Sequence, residues 1–517
     1  MRKIKYAVLL TILLSTLPLS VPAQRDWVVR GGCIADSQTE TGVTRGLQRR
    51  LPSIRKDWDP SKTYYQMVIL VSFSDVDFQM EDPQATYDSI FNCNGYNQRL
   101  GKGCVAEYFR DQSDGQFNLE FDVYGPIKVD SKAQPYANPT ESIRNYGTAQ
   151  FTQATKQAIS DNPDVDYSIY DWNGDKYIEQ VIYVYAGYGG NQTVESYGYI
   201  WPNTGSMSTI TTPDKIKISN YSSSAELWIN NKTCGIGTIC HEYSHSLGLP
   251  DIYPTIDGAG YSVVDEWDLM DGGNFTNFGW CPPNYTALEK MLLGWGEPIE
   301  LTEPETITDL KPSAEGGEIY QLKHSDDEWL LLENRQNRGW DLGAPGRGLV
   351  IYHVVYEKSK WSGNVVNNDK TRRRFDLVHA DNMNYEAWDA VNGGKMPWVN
   401  RTDRLNNRYL STSPYPWTTD STAFVNRDLT DTSVPATVMF TKNTADSNLL
   451  SKDITNITMS EDGLISFDVM GGAPSRLAVV SSKPSGAEGD FYNLQGQRVA
   501  VPKKGFYIKG GKKYLFQ

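Results

Sequence analysis

Two stretches of the chain are continuously apolar, residues 67–73 (Met-Val-Ile-Leu-Val-Ser-Phe, with one serine) and residues 181–186 (Val-Ile-Tyr-Val-Tyr-Ala). Runs of that length, flanked by polar residues, predict strands buried on both faces. Between them, residues 104–110 and 140–159 carry apolar positions at helix-compatible spacing, so strands and helices mix in one N-terminal unit. From about residue 300 the pattern shortens to brief strands between turns, at 329–333, 348–353 and 464–469, which predicts a mostly β second unit. Residues 471–489 are rich in Gly, Pro and Ser and read as a linker. Beyond them, 492–498 and 504–508 read as two short strands around Pro502-Lys-Lys-Gly505. The expected fold class is α+β, with a catalytic-size unit over 63–298 followed by a β-rich unit over 299–470 and a tail over 490–517.

Composition narrows the setting. The 517 residues include 49 Lys plus Arg against 63 Asp plus Glu, a formal charge of -14 that opposes binding to a phosphate backbone; no nucleic-acid partner is expected. Residues 1–23 open with Arg2, Lys3 and Lys5, continue through an apolar stretch and end at Val21-Pro22-Ala23, the pattern of a cleavable signal peptide. The stretch falls short of the ~20 apolar residues needed to span a bilayer, and no other run approaches that length, so stable membrane insertion is not expected. The expected location is outside the cell or on its surface. Residues 24–62 carry basic pairs, among them Arg49-Arg50, and little hydrophobic periodicity, as a pro-segment or linker does. Six cysteines are too few for a disulfide scaffold in so long a chain, though Cys93 and Cys104, bracketing an Asn/Gly-rich loop, are expected to pair.

The chemistry concentrates in Gly237-Thr-Ile-Cys-His241-Glu242-Tyr-Ser-His245-Ser-Leu-Gly248-Leu-Pro-Asp251. Ile236, Ile239, Cys240, Tyr243 and Leu247 recur at helical intervals, so one face can join a core while His241 and His245, four apart, project together. Two imidazoles one turn apart can hold zinc, and Glu242 between them can take a proton from water: an HExxH site. The chain has only five histidines, and two of them are spent here. A third ligand six residues beyond the second histidine, after a glycine turn, follows the metzincin arrangement of zincins and falls on Asp251. Glu266 is the alternative, at a spacing close to that of thermolysin-like enzymes, although Gly248, Pro250, Pro254, Gly258 and Gly260 make a second helix there hard to begin. Met270, in Trp267-Asp-Leu-Met-Asp-Gly-Gly273, could form a Met-turn beneath the metal or simply fill core. Tyr285 is a candidate phenol for steadying an oxyanion.

These motifs, with residues 68–75, Tyr108-Phe109, 113–117, 123–126, 185–189, Glu333-Asn-Arg335 and 346–353, resemble the immune inhibitor A family of secreted bacterial zinc metallopeptidases over most of residues 65–470. The resemblance implies a zymogen with a zincin catalytic domain that cleaves protein substrates broadly. It leaves the role of Cys33, which as a thiolate could reach the zinc, open. Residues 491–517 resemble the end of the C-terminal sorting domains of Bacteroidota, which would make sorting machinery a partner.

Asp171, Asn173 and Asp175 alternate around Gly174 as calcium ligands do, yet the residue at the bidentate-Glu position is Ile182, so an Asx-rich turn competes with a calcium loop. His324, His353 and His379 read as structural. The leading expectation is a zinc endopeptidase with Glu242 as general base, binding its peptide along an edge strand. The competing ones are a zinc hydrolase of non-peptide bonds and a surface adhesin or glycan-binding protein with a vestigial zincin. An intact Glu242 counts against the last.

Overall fold

The computed structural model of the chain describes residues 51–98, 101–134, 146–191, 198–228, 231–256, 263–391, 410–418 and 425–472, the tail strands named below, and single residues 259, 261, 502 and 504. The signal-peptide stretch, Cys33 and Arg49-Arg50 lie outside these residues. Among the described residues no helix is long and apolar enough to cross a membrane.

The first apolar run forms β1 (Thr63–Ser72). It pairs in parallel with β2 (Asn118–Lys128) on one side and β3 (Val181–Tyr188), the second run, on the other. β5 (Lys217–Trp228) continues the parallel sheet beside β3, and β4 (Thr204–Thr211) closes it as an antiparallel edge; β6 (Lys232–Thr233) pairs with the end of β5. Alternation along β1 sorts the core. Val68 and Leu70 face the helices α1 (Pro83–Asn92), α2 (Val105–Gln112) and α4 (Gly237–Ser246), while Met67, Ile69 and Val71 face α3 (Thr148–Asp161). A buried parallel sheet covered on both faces explains the continuous apolar runs.

After α5 (Ala287–Leu293), the β-rich part begins with β7 (Ile299–Glu300) and β8 (Glu305–Leu310). β9 (Tyr320–Lys323), β10 (Glu328–Arg335), β11 (Gly348–Val355) and β12 (Phe375–Leu377) join β7 in one five-stranded sheet; β15 (Ile454–Met459) and β16 (Ile465–Val469) join β8 in another. The strands between, β13 (Trp417–Thr418) and β14 (Val425–Asn426), form a two-residue ladder. One face of the five-stranded sheet, with Leu331, Val350, Tyr352, Val354 and Phe375, belongs to the same hydrophobic cluster as Tyr243, Trp267 and Leu288. The two parts of the chain thus share a core.

Two expectations change here. Cys93 and Cys104 are both free: Cys104 caps α2, its Sγ accepting from Glu107 N at 3.3 Å, and Cys93 ends α1 with its thiol toward the Asn94 carbonyl. The described residues at the two ends of 492–498 do not continue one strand but pair with each other antiparallel, β18 (Phe491–Asn493) against β19 (Arg498–Val499). They belong to a separate five-stranded sheet with β17 (Ala478–Val480), β20 (Gly505–Lys509) and β21 (Lys512–Phe516). Residues 51–58, within the stretch read as a pro-segment or linker, pack against the first unit: Leu51 is buried, Ile54 and Trp58 join the core, and Trp58 Nε1 donates to the Leu293 carbonyl at 2.7 Å.

Candidate metal centre and its cleft

The HExxH segment forms α4 as its spacing predicts, but every residue from Gly237 to His245 is buried, so the helix meets solvent only through the cleft above it. Ile239, Cys240, Tyr243 and Leu247 fill the core below; the opposite side forms the floor of a cleft. The helix stops at Gly248, whose φ of 101° is a left-handed value. A second constraint was not visible in the sequence: a Cβ on Gly248 would lie 2.7 Å from the backbone of Ile54, so the residue also has to let the N-terminal segment pass.

The chain then returns, and Asp251 comes back over the helix. Its Oδ1 lies 3.2 Å from Nε2 of both His241 and His245, and the three ligand atoms fall within 4.8 Å of one another. Each imidazole is fixed from behind by a backbone carbonyl, Leu269 O against His241 Nδ1 and Leu249 O against His245 Nδ1, both at 2.8 Å. A carbonyl only accepts, so Nδ1 carries the proton and a neutral ring turns its Nε2 lone pair toward Asp251. The buried Asp251 Oδ1 receives no hydrogen bond. Acceptors aimed at one point repel unless a cation or an extra proton lies between them. Tetrahedral ligation at ~2.1 Å spaces ligand atoms ~3.4 Å apart, close to what is seen, so the donor set fits a zinc-type ion.

Glu266 occupies the one-turn helix Asp265–Trp267, half-buried and outside the converging group. Met270 is fully buried in the following turn; its carbonyl accepts from Ile252 N at 2.9 Å, and the neighbouring Leu269 carbonyl is the one that holds His241. Asp268 ties the turn together, accepting from Met270 N at 2.6 Å. The turn therefore supports both the first histidine and the return that carries Asp251. Tyr285, by contrast, is a core residue, in contact with the Ser244 hydroxyl and packed against Tyr108 and Trp295, and it cannot meet an oxyanion in the cleft. Tyr253 lines the cleft instead, its ring stacked 6.5 Å from that of His241. Nothing in the sequence separated it from the other tyrosines.

Glu242 is buried at the cleft floor, where Thr204 Oγ1 lies 2.9 Å from its Oε2 and 2.5 Å from its carbonyl oxygen. Thr204 opens β4, so the edge of the sheet runs past Glu242. The cleft encloses ≈ 1270 Å³ and is walled by residues 201–206, by Tyr253 and Ile256, by Leu51, Pro52, Ser53 and Arg55, and by Asn364, Val365 and Asn368 from the β-rich part. The remaining histidines stand apart, His324 on the Thr441 carbonyl, His353 on Glu328 and His379 on Ser413, as expected of structural residues. In the calcium-like loop, Asp171 accepts from Gly174 N, Asp175 N and Lys176 N, and Asn173 and Asp175 accept from Asp175 N and Tyr177 N. That is the geometry of an Asx-rich turn.

Residues 66–290 match the catalytic domain of immune inhibitor A, peptidase M6. Immune inhibitor A of Bacillus thuringiensis subsp. alesti is 24% identical over 286 residues, covering 46% of this chain and 41% of that protein. Pre-pro-metalloprotease PrtV of Vibrio cholerae serotype O1 (strain M66-2) is 21% identical over 238 residues, covering 41% of this chain and 26% of that protein. The chain thus spans less than half the length of these curated relatives. The matched segment takes in α4, the return to Asp251 and the Met270 turn, so the residues of the candidate centre all fall in the part of the chain that is similar to the M6 catalytic domain.

Proposed function

We propose that the protein is a zinc-dependent endopeptidase of protein substrates, with His241, His245 and Asp251 as the zinc ligands and Glu242 as general base. The observation that carries this reading is the convergence of His241 Nε2, His245 Nε2 and Asp251 Oδ1 beside Glu242. A zinc ion held there supplies Lewis acidity to the scissile carbonyl and makes water more acidic. Glu242 accepts the proton of the attacking water as the C–O bond forms, then delivers it to the amine nitrogen as the C–N bond breaks. Thr204 holds one oxygen of that carboxylate, which leaves the other for the water. The substrate lies extended beside β4, the edge of the sheet next to Glu242, where unpaired strand groups can bind its backbone.

Chelation should abolish casein hydrolysis and added zinc restore it. Asp251→Ala should lower zinc content and activity together, whereas Glu266→Ala should leave zinc near one per chain; zinc lost only with the Glu266 variant would assign the glutamate as ligand.

The same reading includes export and latency. Supporting it are the signal-like pattern of residues 1–23, a relative named as a pre-pro-metalloprotease, and the position of residues 51–55, which wall the cleft and are tied to it by Leu51 N to Ser362 O at 3.1 Å and Arg55 N to Leu247 O at 3.3 Å. Leu51, the residue that follows Arg49-Arg50 in the sequence, therefore lies in the cleft wall. Limited trypsin cleavage at Arg49-Arg50 should raise hydrolysis of a protein substrate several-fold. Equal activity before and after the cut would exclude latency, and unchanged latency in Cys33→Ala would remove only a thiolate mechanism.

A further inference from the structure

Asp251 needs more than a turn to aim one oxygen at two imidazoles, because a carboxylate on a return loop is free to rotate about its side-chain bonds. Its other polar groups go to a single side chain far along the chain. Asn364 Nδ2 donates to Asp251 Oδ2 at 2.7 Å, and Asp251 N donates to Asn364 Oδ1 at 2.6 Å. The carboxamide offers one donor and one acceptor in a plane, and the aspartate offers the complementary acceptor and donor. With Oδ2 and the backbone both fixed, Oδ1 is the oxygen left facing His241 and His245.

Asn364 lies beyond the matched domain, in the loop after the short helix α6 (Lys358–Ser362) of the β-rich part. Its φ of 55° is a left-handed value that asparagine tolerates better than most residues. The loop is strapped to the Asp251 return by further bonds: Thr255 N to Asn368 Oδ1 at 2.7 Å, Thr255 Oγ1 to the Asn364 carbonyl at 2.9 Å, and Asn367 Nδ2 to the Ile252 carbonyl at 2.9 Å. We infer that Asn364 is the positioning residue for Asp251, so that the β-rich part completes the metal centre of the catalytic domain. This rests on the reading of Asp251 as a zinc ligand. Residues that orient metal ligands in this way typically change metal affinity about 10–100-fold when removed.

The test is equilibrium zinc affinity of the full chain, measured by chelator competition, with the zinc-free melting temperature as a check on folding. Asn364→Gly is the variant of choice, since glycine accepts the left-handed backbone and only the clamp is lost. It should weaken zinc binding about 10–100-fold with the zinc-free melting temperature near wild type. Asn368→Gly, which removes a strap that does not touch Asp251, should leave the affinity near wild type. Wild-type affinity in Asn364→Gly, alongside zinc loss in Asp251→Ala, would overturn the clamp, as would equal weakening by Asn368→Gly. Zinc binding that survives Asp251→Ala would instead show that the ligand assignment itself fails.

Discussion

Glu242→Gln should keep zinc at one per chain and lose at least ~100-fold in kcat/KM on a protein substrate, the lower end of what a positioned general base contributes. That corresponds to ~2.7 kcal/mol of transition-state stabilisation. The substitution is nearly isosteric, and the amide oxygen can still accept from Thr204 Oγ1, which contacts Glu242 Oε2 at 2.9 Å in the wild type. What disappears is the proton acceptor. Metal content and activity must therefore separate. A variant that hydrolyses casein at near wild-type rate, with zinc bound, would mean that Glu242 is not the base.

The second large effect concerns stability. Arg335→Met should cost about 3–5 kcal/mol, the usual penalty for removing one partner of a buried ion pair. Arg335 is fully buried between the two parts of the chain. Its Nε and Nη2 donate to both oxygens of Asp341 at 2.7 and 2.5 Å, Nη1 lies 3.2 Å from Glu333 Oε1, and Nη2 also reaches the carbonyls of Trp267 and Asn284. Burial opposes the guanidinium charge, but the carboxylates of Asp341 and Glu333 overcome it and keep the group ionised. Without the arginine those acids stay buried next to Asp268 and Glu289, whose carboxyls burial already raises, that of Glu289 to about 7. A chemical-denaturation midpoint unchanged in the variant would show that the network is dispensable. Because Trp267 precedes the Met270 turn, the variant should also bind zinc more weakly.

The readings that held from sequence depend on contacts within a few residues. Four-residue spacing puts His241 and His245 on one side of a helix whatever surrounds it, and six further residues with a glycine turn are enough to bring Asp251 back over the same turn. The apolar runs of β1 and β3 announced a sheet covered on both faces for the same reason: burial on both sides removes the regular alternation of polar positions from the run. β4 and β5 gave no such signal. β5 carries Ser222, Ser223 and Ser224 and β4 is a largely exposed edge, so the strand that holds Thr204 against Glu242 was missed. Cys93 and Cys104 are close in sequence yet serve separate helix ends, and Tyr285 looked available only until α2 and α4 closed over it.

What only the tertiary structure decided is how the metal centre is held. Asn364 meets Asp251 across 113 residues, and Arg335 meets Asn284 across 51, through side chains whose local sequence shows no periodicity tied to the partner. Spacing along a chain fixes geometry only over the few residues in which the backbone stays regular; beyond that, which polar groups meet is set by how the hydrophobic faces stack, and here they stack the β-rich sheet into the core beneath the site.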